Sequence, residues 1–432
     1  MAQNGTARHG RALQSPPQSR TARHGTARHL PEGHGQRTGL QRAPAAGEGQ
    51  GGLGAPQGAQ PLAPPAVIAR SRGSKVGAGL IQRLRLQQRL LPLAPRVSPL
   101  RSLSPDLLPG MGPWPWLWLA AVLAGLLWLR RWHRERQTVP GLSEKFVLIT
   151  GCDSGFGNLL ARQLDARGLR VLAGCLTEPG AAGLRAATSQ RLQTVLLDVT
   201  SSHSIAAATA WVRERVGDRG LWGLVNNAGI AVPSAPNEWL SKDDFVKVLD
   251  VNLVGLIEVT LSLLPLVRRA RGRVVNVASV MGRIAFFGGG YCPSKYGVEA
   301  FSDSLRLEMR HFGVKVSIIE PGYFKTAITG AENLEKCFLS TWEKVSDETK
   351  AGYGENYLKD FVAGVRKMQK RCNSNLSLVT DCMEHALTSR YPRARYSAGW
   401  DAKLLFIPLS YLPSTLADVI LTWLYPKPAQ KA

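Results

Sequence analysis

Between Ser143 and Gly322, short apolar runs alternate with segments whose apolar residues recur at helical spacing. Six runs read as strands: Phe146–Thr150, Arg170–Cys175, Gln193–Val199, Leu221–Asn226, Arg273–Ser279 and Lys315–Glu320. The first is continuously apolar rather than alternating, the pattern of a parallel strand covered on both faces. Leu159–Arg167, Ser204–Val216, Phe245–Arg269 and Ser294–Phe312 supply the intervening helices. Strand–helix alternation of this kind builds βαβ units, so the fold class is α/β, a doubly wound parallel sheet with helices on both faces. After Gly322 the pattern turns helical and irregular and closes on an apolar stretch, Leu404 to Leu424, broken by Pro408 and Pro413. Those prolines argue against a spanning helix and for a lid or a surface that rests on a membrane.

Upstream the pattern differs. Met111 to Leu129 contains 19 residues without a charge, close to the roughly 20 that cross a bilayer as a helix. Trp114, Trp116, Trp118, Trp128 and Trp132 cluster near its ends, as interfacial tryptophans do. Arginines at 130, 131, 134 and 136 follow where a signal peptide would need a small-residue cleavage site. Residues 111–132 are therefore expected to form a retained membrane anchor. The basic flank favours a cytosolic catalytic part, although Arg83 to Arg101 place positive charge on the other side as well.

Residues 1–110 are rich in Gly, Pro, Arg and Gln, and repeat the motif Thr6-Ala7-Arg8-His9-Gly10 at Thr21 and, in part, at Thr26. Such a stretch buries too little apolar surface to offset chain entropy, so a disordered basic extension is expected. Its composition also suits an organelle-targeting peptide, and Met111 stands where a shorter protein would begin. This extension carries +12 of the formal charge of +23. Roughly half of the basicity thus lies in a segment without a core-forming pattern, and nucleic acid is not an expected partner. Six cysteines, at 152, 175, 292, 337, 372 and 382, form no C-x-x-C pair, and the eight histidines show no zinc-ligand spacing. A reduced protein without a metal site is expected.

Two local patterns carry chemistry. The turn Thr150-Gly151-Cys152-Asp153-Ser154-Gly155-Phe156-Gly157 joins the first strand to the first helix. Glycines there let backbone approach a pyrophosphate, and the helix N-terminus offers unpaired N–H groups. Tyr291 and Lys295 lie four apart on one helix face. A free tyrosine titrates near 10, but a neighbouring ammonium, with the positive ring of an oxidised nicotinamide, is expected to favour the phenolate. Ser279, at a strand end, is placed to donate to a substrate oxygen.

With LVNNAG (Leu224–Gly229), NVAS before the loop, YCPSK and EPG (Glu320–Gly322), these motifs resemble the short-chain dehydrogenase/reductases, in that family's order and over about residues 140–428. Longer stretches, among them GLWGLVNNAG and SAGWDAKLLFIPLSYLP, are similar to the microsomal retinol and hydroxysteroid dehydrogenase branch. The resemblance implies a Rossmann-type catalytic domain over 140–428, with its substrate-lid part from about 323. It implies Tyr291 as general acid/base, Lys295 on the nicotinamide ribose, Ser279 on the substrate oxygen and Asn252 positioning a water behind the lysine. Gly151, Ser154, Gly155, Phe156 and Gly157 would cradle the dinucleotide, with Asp198 at the adenine, Asn226 and Asn227 flanking the cofactor and Thr326 at the nicotinamide end. Ser279 and Tyr291 are 12 apart, where many members have 13.

Neither Ser154 nor Leu176 can pair a 2′-phosphate, which favours NAD over NADP. The expected partners are a small apolar alcohol (retinoid or steroid) and membrane lipid, with a homodimer left open. The expected location is the endoplasmic reticulum membrane. The rival readings are a non-enzymatic retinoid or dinucleotide carrier on the same fold, and a nucleic-acid binder using the basic extension. Every candidate site residue lies beyond position 140, so residues 1–110 are expected to be dispensable for catalysis.

Overall fold

Successive side chains of β1 (Phe146–Thr150) are all buried, yet they serve different cores. Val147 and Ile149 pack with Leu160, Leu164, Val379 and Met383 on one face. Phe146 and Leu148 pack with Val212, Val259, Leu263 and Leu305 on the other. A strand has a period of two, so a five-residue apolar run feeds two hydrophobic layers when helices cover both sides. The computed structural model describes residues 114–286, 288–423 and 425–429. The expectations for residues 1–110, and for the first three positions of the apolar run at 111–113, lie outside the described residues.

Six further strands run parallel to β1: β2 (Arg170–Cys175), β3 (Gln193–Leu196), β4 (Gly223–Asn226), β5 (Arg273–Val277), β6 (Lys315–Pro321) and β7 (Arg395–Ala398). Their order is β3-β2-β1-β4-β5-β6-β7. Val147 sits between Val171 of β2 and Gly223 of β4, and the direction of winding reverses at that β1–β4 boundary. In doubly wound sheets the crevice beyond the carboxyl ends of these two strands is where ligands bind.

The helices are α1 (Trp114–Glu135), α2 (Gly155–Ala166), α3 (Glu178–Ala186), α4 (Ser202–Val216), α5 (Lys242–Leu249), α6 (Gly255–Arg269), α7 (Tyr291–Met309), α8 (Ala331–Lys344), α9 (Asp347–Tyr353), α10 (Glu355–Arg371), α11 (Ser377–Thr388) and α12 (Ser414–Trp423). α2, α3 and α11 cover one face of the sheet; α4, α6 and α7 cover the other. Helices α8 to α10 build a smaller core with Trp239, in which Phe338, Tyr357, Phe361 and Val365 are buried.

The fold class is as expected, with local corrections. The helix expected over Phe245–Arg269 is present and starts three residues earlier, running from Lys242 to Arg269 with a π-helical turn, Asp250–Val254, between α5 and α6. A capping box between Ser241 and Asp244 starts the first of them at Lys242. A side chain at Gly255 would fall 2.2 Å from the Val199 carbonyl, so backbone lies against backbone where the π-turn ends. α7 begins at Tyr291 rather than Ser294, and β3 and β5 end three and two residues early. Helix α3 and strand β7 were not visible as apolar runs. α3 is instead defined by Thr177, whose side chain accepts from the Gly180 N–H, and by Pro179 in its first turn.

By length and composition Lys242–Arg269 could cross a membrane. It is the α5–α6 segment packed on the sheet, and therefore a core element. α1 is different: Trp114, Trp118, Leu127 and Trp128 are each at least 65% exposed, on a helix without a charge before Arg130.

Candidate active site

Backbone contact defines the glycine turn. Gly151 and Gly155 have φ of 70° and 63°, in the left-handed region that favours glycine. A side chain at Gly151 would meet the Ala228 backbone at 2.8 Å, and one at Gly157 would meet the Gly151 carbonyl at 2.4 Å. The turn is thus pressed onto the end of β4. Thr150 completes the joint, its Oγ1 accepting from the N–H groups of Asn227 and Ala228 at 3.0 Å each. Asn227 donates its Nδ2 to the carbonyls of Thr150 and Gly151, both at 3.0 Å.

Gly155 faces the cleft, where a Cβ would find only the Thr326 methyl at 3.9 Å. Ser154 begins α2 in extended backbone without a side-chain cap bond, so its side chain leaves the first-turn N–H donors uncapped. Such a cradle fits a dinucleotide pyrophosphate. Thr326 closes it from the other side, and Phe156 meets Phe324 edge-on at 5.7 Å.

The reactive pair occupies the first turn of α7. Ser279 lies two residues past β5, where its Oγ accepts from the Met281 N–H at 3.1 Å. Its hydroxyl lies close enough to the Tyr291 phenol to pull that group's pKa down. Lys295 is buried, donates to the Val277 carbonyl at 2.9 Å and lies 5.7 Å from the centroid of the Tyr291 ring. Gly229 runs alongside, where a Cβ would be 3.2 Å from Asn252 Oδ1 and 3.7 Å from Lys295 Nζ.

Asn252 is fully buried in the π-helical turn. Its Oδ1 accepts from the Ile230 N–H at 2.8 Å, and its Nδ2 donates to the Ile230 carbonyl at 2.8 Å and to Ser294 Oγ at 3.0 Å. It pins the 229–230 loop to the helix that carries Lys295, and the extra residue of the π-turn aims it there.

Burial governs the pair's protonation. Desolvation pushes the Tyr291 hydroxyl up to about 12, with the Ser279 hydroxyl pulling the other way. Desolvation also brings the Lys295 ammonium down to about 8. The expected shift toward the phenolate concerns the pair with an oxidised nicotinamide alongside; in the protein alone, burial is the largest influence on both groups.

Two expected residues stand apart from this group. Asn226 is buried within the fold, donating to Thr260 Oγ1 and Asn276 Oδ1 at 2.8 Å each. Asp198 lies just past β3, its carboxylate accepting from Thr200 N and Oγ1 at 2.9 and 2.7 Å.

Sequence reasoning passed over two residues. The Asp153 carboxylate spans from the glycine turn to the end of β2, accepting the Leu176 and Thr177 N–H groups at 2.8 and 2.9 Å; its place inside the glycine motif was the signal. Arg283 pairs with Glu320 at 3.1 Å and donates to the Tyr411 hydroxyl at 2.8 Å, tying the loop after Ser279 to the C-terminal segment. Nothing local in the sequence pairs positions 283 and 411.

The C-terminal segment contributes to a buried apolar cluster packed against Tyr291. Phe406 and Leu409 pack with Val280, Met281, Ile284 and Cys292, and Ala417 and Leu421 lean on the same cluster. Tyr323 meets Phe406 edge-on at 5.4 Å.

A dinucleotide cradle at a switch point, with Ser, Tyr and Lys converging beside it, is the equipment for hydride transfer coupled to proton transfer. The sequence profile of the family described as short chain dehydrogenase matches residues 145–336. The chain belongs to that family of oxidoreductases, which use a nicotinamide dinucleotide. Human retinol dehydrogenase 16 is 64% identical over 315 residues, covering 73% of this chain and 99% of that protein. Human 17-beta-hydroxysteroid dehydrogenase type 6 is 63% identical with the same coverage. Among solved structures, a short-chain dehydrogenase from Streptomyces avermitilis superposes with a TM-score of 0.52 at 26% identity, covering 65% of this chain and 96% of that one.

The buried ammonium has a measurable consequence. The folded-state pKa of Lys295, about 8, lies below its ordinary 10.5. The unfolded chain therefore binds the proton more tightly, and the stability penalty is fully present below pH 8 and fades as pH rises to about 10.5. At pH 7 it amounts to about 3 kcal/mol. Relative to Lys295→Met, the unmodified protein is expected to gain thermal stability between pH 8 and 10.5, read by calorimetry of both proteins across that range. A Tm difference that does not move with pH would show that the ammonium is not desolvated.

Proposed function

We propose that this enzyme oxidises an apolar secondary or allylic alcohol, a retinol or a hydroxysteroid, with NAD, at a membrane. The observation that carries the reading is the meeting of Tyr291 and Lys295 in one helix turn beside Ser279, with a buried apolar cluster of Phe406, Leu409, Met281 and Ile284 packed against Tyr291. Apolar surroundings with a few convergent polar groups suit a substrate with one polar oxygen and a hydrocarbon body. The names of the relatives point to the same two substrate classes.

When bound, the nicotinamide supplies the hydride acceptor. The protein's own residues handle the oxygen and its proton. Ser279 hydrogen-bonds the carbinol oxygen and holds it against Tyr291. Tyr291 removes the hydroxyl proton, and in the reverse direction returns it to the carbonyl oxygen. Lys295 binds the ribose hydroxyls and keeps a positive charge near the phenol, while Asn252 holds the loop beside it. Asp198 and Thr326 serve the adenine and nicotinamide ends. Asn227 acts through the shape of the glycine turn, and Asn226 through the packing behind it.

Preference for NAD follows from charge. Leu176 is exposed and uncharged just past β2, and its N–H donates to the Asp153 carboxylate at 2.8 Å. A negative group there repels a 2′-phosphate and leaves it without a cation. Glu178, the other acid nearby, is paired with Arg185 at 2.5 Å. In a kcat/KM panel of retinols and 3α- and 17β-hydroxysteroids, NAD is expected to exceed NADP. Leu176→Arg should narrow the gap by roughly tenfold, the worth of one charge-assisted contact. An unmodified enzyme that prefers NADP would refute the assignment.

α1 serves as the anchor, supported by its exposed tryptophans and leucines, and its basic C-terminal flank favours the cytosolic face. Asn375, exposed in an N-L-S glycosylation motif, reports on this. It is expected to remain unmodified in microsomes, and endoglycosidase-sensitive sugar on it would place the catalytic part in the lumen.

A further inference from the structure

The lower end of α1 does not hang free of the catalytic body. Arg393 pairs with Glu135, and His385 Nε2 lies 2.9 Å from the Glu135 carbonyl. The Val139 N–H donates to the Thr388 carbonyl at 2.8 Å, and the Arg390 N–H to the Gln137 carbonyl at 2.7 Å. Between helix and body these contacts leave a hollow of about 460 Å³ lined by Leu127, Arg130, Arg131, Arg134, Glu135 and Tyr391.

The chemistry of this lining is specific. Arg134 lies over the Tyr391 ring at 4.1 Å, so its guanidinium is held in place. Glu135 is shared between Arg131, at 2.8 Å, and Arg393. Among the described residues, Arg130 and Arg134 have no carboxylate partner. The hollow therefore has surplus positive charge, while Leu127 contributes a wall from the uncharged run. An occupant suited to it is anionic at one end and hydrocarbon at the other.

We propose that this hollow binds the phosphate headgroup of an anionic phospholipid, with the acyl chains running up α1 past Leu127. Guanidinium groups match phosphate oxygens in pairs, and the position is the first turn beyond the apolar run, where headgroups lie. A lipid held there bridges anchor and body, and so fixes how the catalytic cleft faces the membrane. The inference rests on reading α1 as an anchor.

The test uses the full-length protein in detergent micelles with equal amounts of phosphatidylserine and phosphatidylcholine, the bound lipid being counted by native mass spectrometry. Phosphatidylserine is expected to be retained in preference. Each arginine near an anionic lipid contributes on the order of fivefold, so Arg130→Gln with Arg134→Gln should cut the preference by roughly 25-fold. Arg130→Gln alone, at an exposed side chain, should cut it about fivefold. Tyr391→Phe, which keeps the ring under Arg134, should leave the preference in place. Equal retention of both lipids, or an unchanged preference in both arginine variants, would overturn the proposal. Displacement of the lipid by an equal concentration of glycerol 3-phosphate would also overturn it, by revealing a soluble-anion site. Alkaline carbonate separates the two readings. Release of the unmodified protein from membranes removes the anchor, whereas retention without lipid preference removes only the headgroup site.

Discussion

A buried ammonium held by one backbone carbonyl is the constraint around which this site is built. Lys295 has left water for the interior and donates to Val277, and desolvation has already brought its pKa down to about 8. Such a group is tolerated only where its surroundings are fixed, and each neighbour does some of the fixing. β5 supplies the carbonyl, the π-helical turn supplies Asn252, and Gly229 supplies backbone without a side chain. The same desolvation raises Tyr291. The protein alone therefore holds a protonated phenol beside a readily deprotonated amine, a pair whose charge state responds to another cation brought alongside.

The glycine turn answers a second constraint, close contact between β1 and β4 at the switch point. Gly151 and Gly157 have no room for a side chain because Ala228 and the turn's own carbonyl occupy it. Gly155 faces open space instead. One motif thus combines two structural glycines with one that leaves the cleft clear. The distinction governs how substitutions act, by disrupting packing at 151 and 157 and, at 155, by straining the left-handed backbone and intruding on the cleft.

Much of this was legible in the chain because the signals were local. The apolar run of β1, the glycine turn and the four-residue spacing of Tyr291 and Lys295 each lie within a dozen residues. What escaped depended on partners distant in sequence or on backbone geometry. The π-turn at Asn252 lies inside an unbroken helical pattern, and the Val199 carbonyl that lies against its end is about 50 residues away in the chain. Strand β7 is four residues of mixed polarity and is defined by pairing with β6. Asn226 sits in a motif shared with Asn227, yet a strand alternates its faces, so the two neighbours point to different surroundings. The raised tyrosine pKa also escaped, because desolvation is a property of the whole enclosure.

The central claim is that Tyr291 moves the proton while the remainder of the site binds and orients. Its most direct measurement pairs dinucleotide affinity with alcohol-oxidation turnover in Tyr291→Phe, a change that keeps the ring and removes only the oxygen. Affinity is expected to stay within about threefold and turnover to fall by roughly 10²- to 10⁴-fold, the usual contribution of a positioned acid/base. Turnover within about tenfold of the unmodified enzyme, a loss smaller than acid/base catalysis supplies, would contradict the account and move the proton transfer to another group.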